Sequence, residues 1–131
     1  MTREMKIKSK IENLRIVEKF VDEISEEFSL SDEIYGNILV ATLEATNNAI
    51  LHGNRQNENL DVEIFMEKSE NHLCLTVVDQ GRGFDYKNIP DPTAPENLEK
   101  INGRGIFLME KLSDKMEFER NGSTVTLCFN T

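Results

Sequence analysis

From Ile11 to Phe28 the apolar side chains recur at Leu14, Val17, Val21, Ile24 and Phe28. Steps of three and four lay them along one stripe and predict an amphipathic helix whose acidic, lysine-dotted remainder faces solvent. A second helix is predicted from Ser31, whose hydroxyl suits an N-cap, with Asp32 and Glu33 in the first turn and Leu30 placed to staple against Tyr35. Its stripe of Ile34, Ile38, Ala41, Ala45 and Ala49, widened by Leu39, Leu43 and Ile50, carries it to about His52, with Gly53 as the stop.

The period then changes. After a polar connection over 54–60, Val62, Ile64 and Met66 alternate with polar neighbours as a strand. A Lys68-Ser69-Glu70-Asn71 turn leads into the more fully apolar and hence more central strand Leu73 to Val78, making a hairpin. Residues 5–10 alternate weakly and predict a short edge strand whose lysines discourage unwanted pairing. Phe84 to Asn102 holds all three prolines without periodicity and reads as a lid. Ile106 to Leu112 predicts a short helix after Gly103-Arg104-Gly105, and Met116 to Glu119 and Val125 to Phe129 predict a hairpin around Asn121-Gly122.

Composition narrows the class. A length of 131 residues with 38% hydrophobic content fits one domain spanning 1–131. No apolar run is long enough for a membrane span and the first residues lack a signal-peptide core, so a cytoplasmic protein is expected. A net charge of −9 argues against broad neutralisation of nucleic-acid phosphates and favours a protein partner or a metal-bound anion. Cys74 and Cys128, isolated in apolar alternating segments, read as core residues rather than as a disulfide framework or a zinc site.

The candidate chemistry lies in three places. Glu44 and Asn48 sit four apart on one face of the second helix, with Val40 and Leu51 beside them, and an acid and an amide in such a stripe need a partner or an ion. The competing reading pairs Glu44 with an Arg or Lys and bonds Asn48 to backbone. The strand end Asp79-Gln80-Gly81-Arg82-Gly83 offers a fixed carboxylate able to accept from an exocyclic amine, with glycines that permit close approach of a flat ligand. It also fits a plain tight corner. Gly103 and Gly105 precede a helix whose unpaired N–H groups favour an anion, or simply start that helix. Arg104 between them suits a terminal phosphate and, as a catalytic group, the charge that develops on a transferring phosphoryl group, or is a solvated loop arginine. His52 and His72 form no metal pair, and neither a Walker P-loop nor a Rossmann glycine motif is present, so a nucleotide site would be of another kind.

These residues together resemble a known family. Glu44-Ala-Thr-Asn-Asn48-Ala-Ile-Leu-His52-Gly53 resembles the N box, Asp79-Gln-Gly81-Arg-Gly83 the first glycine box, and Gly103-Arg104-Gly105-Ile-Phe-Leu-Met the second glycine box of the gyrase, Hsp90, histidine kinase and MutL ATPases. The short chain and the run through Glu110-Lys-Leu-Ser-Asp114 are most similar to the anti-sigma factor serine kinases. The resemblance implies an α+β, two-layer α/β sandwich (the Bergerat fold), with helices on one face of a mixed, mostly antiparallel sheet and a lid at about 84–104 over ATP. It implies Glu44 as general base, Asn48 as the amide ligand of Mg²⁺, Asp79 as acceptor of the adenine amine, and Gly81 and Gly83 as shaping the adenine side. It further implies Gly103, Arg104 and Gly105 toward the phosphates, and Thr124 as a late Gly-Thr-like element near adenine, although here Ser123 follows the glycine.

The implied activity is ATP-dependent phosphorylation of a seryl or threonyl hydroxyl on an anti-anti-sigma partner, together with sigma-factor binding and a homodimer. The alternatives are a nucleotide-dependent module that sequesters a regulator without kinase activity, and a detached histidine kinase catalytic domain. No dimerisation helix pair with a phosphoacceptor histidine precedes the domain, which disfavours a complete histidine kinase.

Overall fold

The computed structural model describes residues 1–82 and 101–131, the side chains of 101–103 excepted. In chain order the elements are β1 (Thr2–Lys8), α1 (Leu14–Glu27), α2 (Asp32–Asn48), β2 (Asp61–Lys68), β3 (His72–Val78), α3 (Ile101–Leu112), β4 (Lys115–Glu119) and β5 (Thr124–Asn130). The described strands form one sheet in the order β1-β2-β3-β5-β4, and every pairing is antiparallel.

Alternation decides the layers. Val62, Ile64 and Met66 of β2, Leu73, Leu75 and Val77 of β3, and Val125, Leu127 and Phe129 of β5 are buried on one face. There they share a single core with Val17, Val21 and Ile24 of α1, Ile38 and Ala41 of α2, and Ile106 and Met109 of α3. Helices on one face of a sheet give the expected two-layer α+β sandwich. Charged side chains mark the edges: Lys6 and Lys8 on β1 and Lys115, Glu117 and Glu119 on β4 discourage further strand addition.

α1 follows its predicted stripe after a short 3-10 turn at Ile11–Asn13. α2 is capped by Ser31, whose Oγ accepts from the Ile34 N–H at 3.2 Å. The predicted extent to His52 is met by a change of winding, since Ala49–Gly53 is a π turn. The Asn54 N–H donates to the Ala49 carbonyl at 2.8 Å, the five-residue span of a π turn.

Gly53 is not the left-handed stop that its position suggests. Arg55 and Gln56 carry the positive φ angles, 52° and 58°. Gly53 is small because a Cβ there would lie 2.3 Å from the Asp79 carboxyl carbon.

The cysteines differ from expectation. Cys74 and Cys128 are directly opposed in the β3–β5 register and joined by a disulfide, half-buried on the sheet face away from the helices. The alternation of Leu73, Leu75, Leu127 and Phe129 into the core forces their neighbours outward, so neither cysteine is a core residue. The Asn121-Gly122 turn also exceeds the two-residue form. Glu119 pairs with Thr124, and Arg120, Asn121 and Gly122 all take positive φ.

Candidate functional site

The last turns of α2, the end of β3, the β4–β5 turn and α3 converge on a cavity of about 50 Å³. Its walls are mostly apolar, from Ala45, Val77, Ile106, Met109, Phe118 and Val125, and the polar groups that reach it are Asn48, His52, Asp79 and Ser123. The small residues Ala45 of α2 and Ala49 of the π turn leave the space that larger ones would fill.

Asp79 follows the last residue of β3 in the same alternation as Leu75 and Val77, so its side chain turns to the helix side. It is only 7% exposed. Burial pushes its carboxyl above the ordinary value of 3.8, opposed by the Gly81 N–H, which donates to Oδ1 at 2.8 Å, and by the charge of Arg120. Gly53 and Gly81 make this arrangement possible. A Cβ on Gly81 would meet the Gly53 carbonyl oxygen at 2.0 Å, so the two backbones touch beside the carboxylate.

Asn48 lines the other end, and Glu44 lies beside it one helical turn earlier, outside the cavity lining. A Cβ on Gly105 would sit 3.0 Å from Glu44 Oε2 and 3.2 Å from Asn48 Nδ2, so α3 packs its glycine against the pair. Among the described residues Glu44 has no ion-pair partner. Asn48 Oδ1 is buried and accepts no hydrogen bond. Neither finding supports the reading of a salt-bridged acid beside a backbone-bonded amide. A buried amide oxygen without a donor is the kind of hard ligand that Mg²⁺ takes. Val40, expected to flank the pair with apolar surface, is 41% exposed, and Glu44 itself is only half-buried, so part of it is open to solvent.

The remaining sequence-predicted residues are placed differently from expectation. Gly103, Arg104 and Gly105 lie inside α3 rather than before it. Arg104 is exposed and does not line the cavity. Thr124 pairs with Val78, whose side chain points away from the helices, and it is Ser123 that lines the cavity. The alternation that turns Val125 and Ser123 to the helix side turns Thr124 to the opposite face, where it is still buried with its hydroxyl unpartnered. Gly83 and the lid segment 84–100 lie outside the described residues.

Sequence reasoning missed two contributors besides Ser123. His52 lines the cavity, and burial lowers its basicity, which favours the neutral ring at neutral pH. Its position four residues after Asn48 was the available signal. Asn54, read as part of a polar loop, is 2% exposed and fully bonded.

The family described as the histidine kinase-like ATPase domain matches residues 7–129. The serine-protein kinase RsbW of Oceanobacillus iheyensis is 30% identical over 120 residues, covering 87% of this chain and 76% of that protein. The serine-protein kinase RsbW of Staphylococcus aureus is 29% identical over 111 residues, covering 76% of this chain and 70% of its own length.

Proposed function

Because the chain belongs to the histidine kinase-like ATPase domain family, in its anti-sigma factor serine kinase branch, we propose that it transfers the γ-phosphoryl group of ATP to a protein hydroxyl. The acceptor is a seryl or threonyl side chain of an anti-anti-sigma partner, and the same protein binds a sigma factor. The supporting observation is one cavity with a desolvated carboxylate at one end and the unpartnered amide oxygen of Asn48 at the other, with Glu44 beside that amide against Gly105 but outside the cavity lining.

Asp79 accepts a hydrogen bond from the exocyclic amine of adenine, while Val77, Ile106, Met109 and Val125 cover the faces of the ring. Ser123 adds a hydroxyl beside the carboxylate. Asn48 Oδ1 would hold Mg²⁺, which would neutralise phosphate charge. Gly103, Arg104 and Gly105 lie on the phosphate side, with Arg104 on the exposed face of α3, where it meets the terminal phosphate of bound ATP. Gly81 and Gly83 border the adenine.

Glu44 acts as general base. Its open side lets a partner's hydroxyl approach, the proton passes to the carboxylate, the hydroxyl oxygen forms the new P–O bond, and ADP leaves with the electrons of the broken one. Such a base typically contributes about 10² to 10⁴ in rate. Incubation with γ-labelled ATP, Mg²⁺ and a candidate anti-anti-sigma protein tests this directly. Label should appear on the partner with wild type and not with Glu44→Gln, whose ATP affinity stays within about threefold because a base acts in the transition state. Tight partner binding without transfer by the wild type would replace the kinase with a nucleotide-dependent sequestering module.

A further inference from the structure

The turn that carries Asp79 is held by three successive N–H groups. That of Asp79 donates to the Ser123 carbonyl at 2.9 Å, that of Gln80 to Asn54 Oδ1 at 2.7 Å, and that of Gly81 to Asp79 Oδ1 at 2.8 Å. Only the middle one depends on a side chain from another part of the fold. Asn54 itself is anchored on three sides. Its Nδ2 donates to Ser9 Oγ at 2.8 Å and to the Asp61 carbonyl at 3.0 Å, and its N–H closes the π turn on Ala49. Ser9, 1% exposed, passes the constraint on by donating to the Leu60 carbonyl at 2.8 Å. The Asp61 N–H returns to Gln80 Oε1 at 2.6 Å.

This set of partners selects the residue type. The position needs one acceptor toward Gln80 and two donors toward Ser9 and Asp61, which the amide of asparagine supplies together. Aspartate lacks the donors, glutamine is one methylene too long, and the reversed amide would set its NH₂ against the Gln80 N–H.

We propose that Asn54 is a positioning residue for nucleotide recognition, fixing the main chain at Gln80 so that the neighbouring Asp79 carboxylate stands where it reads the base. The inference rests on the reading of Asp79 as the acceptor of the adenine amine. The geometry leaves little slack for an alternative position. Gly53, adjacent to Asn54, already touches the carboxylate, so a shift of the turn either presses Asp79 into that backbone or withdraws it from the cavity. Asn54 thereby ties the end of α2, which bears Asn48, to the strand end that bears Asp79.

The test compares Asn54→Ala, Asn54→Asp, Ser9→Ala and Asp79→Asn, measuring ATP and GTP binding and the solvent exchange of the Gln80 amide by NMR, each below the variant's unfolding temperature. Asn54→Ala should speed Gln80 exchange and lower ATP affinity by about tenfold, the usual scale for a group that supports a recognition residue, with GTP binding unchanged. Asn54→Asp keeps the acceptor for Gln80 and should keep the ATP preference despite lower stability, as should Ser9→Ala. If Asn54→Ala does not fold, Asn54→Asp decides alone: Gln80 protected but ATP preference lost overturns the proposal. So does a folded Asn54→Ala with wild-type preference when Asp79→Asn has lost it. Loss of preference in neither Asn54→Ala nor Asp79→Asn overturns the underlying reading of Asp79, and this inference with it.

Discussion

Burial and hydrogen bonding pull the carboxyl of Asp79 in opposite directions, and burial wins. A raised acid in the folded state means that the native protein holds its proton to higher pH than the unfolded chain does. Its ionisation therefore costs stability, and that cost grows as pH rises from the ordinary carboxylate value toward the raised one. Asp79→Asn removes the cost. Thermal unfolding of both proteins across the acid range should show the wild type losing ground to the variant as pH rises, and parallel curves would contradict the assignment. Nucleotide binding has the opposite slope, since the ionised carboxylate is the better acceptor. Asn48 and Asp79, which the structure brings to one cavity, stand out in the sequence because an amide and an acid contrast with apolar stripes. Ser123 was less so: only the strand register shows that it, and not Thr124, shares the inward alternation of Val125. Asn54 was hidden for a related reason, since its partners Ser9 and Gln80 are brought to it by the fold and not by local spacing.

At the scale of elements, α2 follows its periodicity closely, because a long stripe of Ile and Ala with a serine cap admits few other readings. The start of α3 was obscured by Gly103 and Gly105, which suggest a loop and contribute no apolar period. Its packing on α2 rationalises one of them. Gly105→Ala places a methyl 3.0 Å from the flexible end of Glu44, so the fold should tolerate it, with unfolding temperature changed by no more than about 2 °C. Phosphate transfer should fall severalfold because the proposed base is displaced. A variant with unaltered transfer would separate Gly105 from Glu44. Gly36 behaves differently, lying within α2 with nothing within 4 Å of a Cβ. Gly36→Ala should stabilise by about 0.5–1 kcal/mol, read as a higher midpoint in denaturant, because only chain entropy and helix propensity change.

Across the whole molecule the sheet separates two functions of its faces. The helix side holds the core and the cavity, while the Cys74–Cys128 bond lies on the other side with Thr76 and Thr126, whose hydroxyls are 3.0 Å apart. Which cysteines oppose each other is a matter of β3–β5 register across 54 residues of chain, and no local pattern announces it. Reductant should lower the unfolding temperature while leaving ATP affinity within about twofold, because closing that loop chiefly restricts the unfolded chain. Among the described residues no helix is long and apolar enough to cross a membrane.

Equilibrium binding of ATP and GTP, with Mg²⁺ and with a chelator, measures most directly whether the cavity is the adenine and Mg²⁺ end of an ATP site. Wild type should bind ATP at least about tenfold more tightly than GTP, with the preference lost in Asp79→Asn and the effect of chelation reduced in Asn48→Ala. Equal binding of the two nucleotides by the wild type, or a preference that survives Asp79→Asn, would contradict that reading.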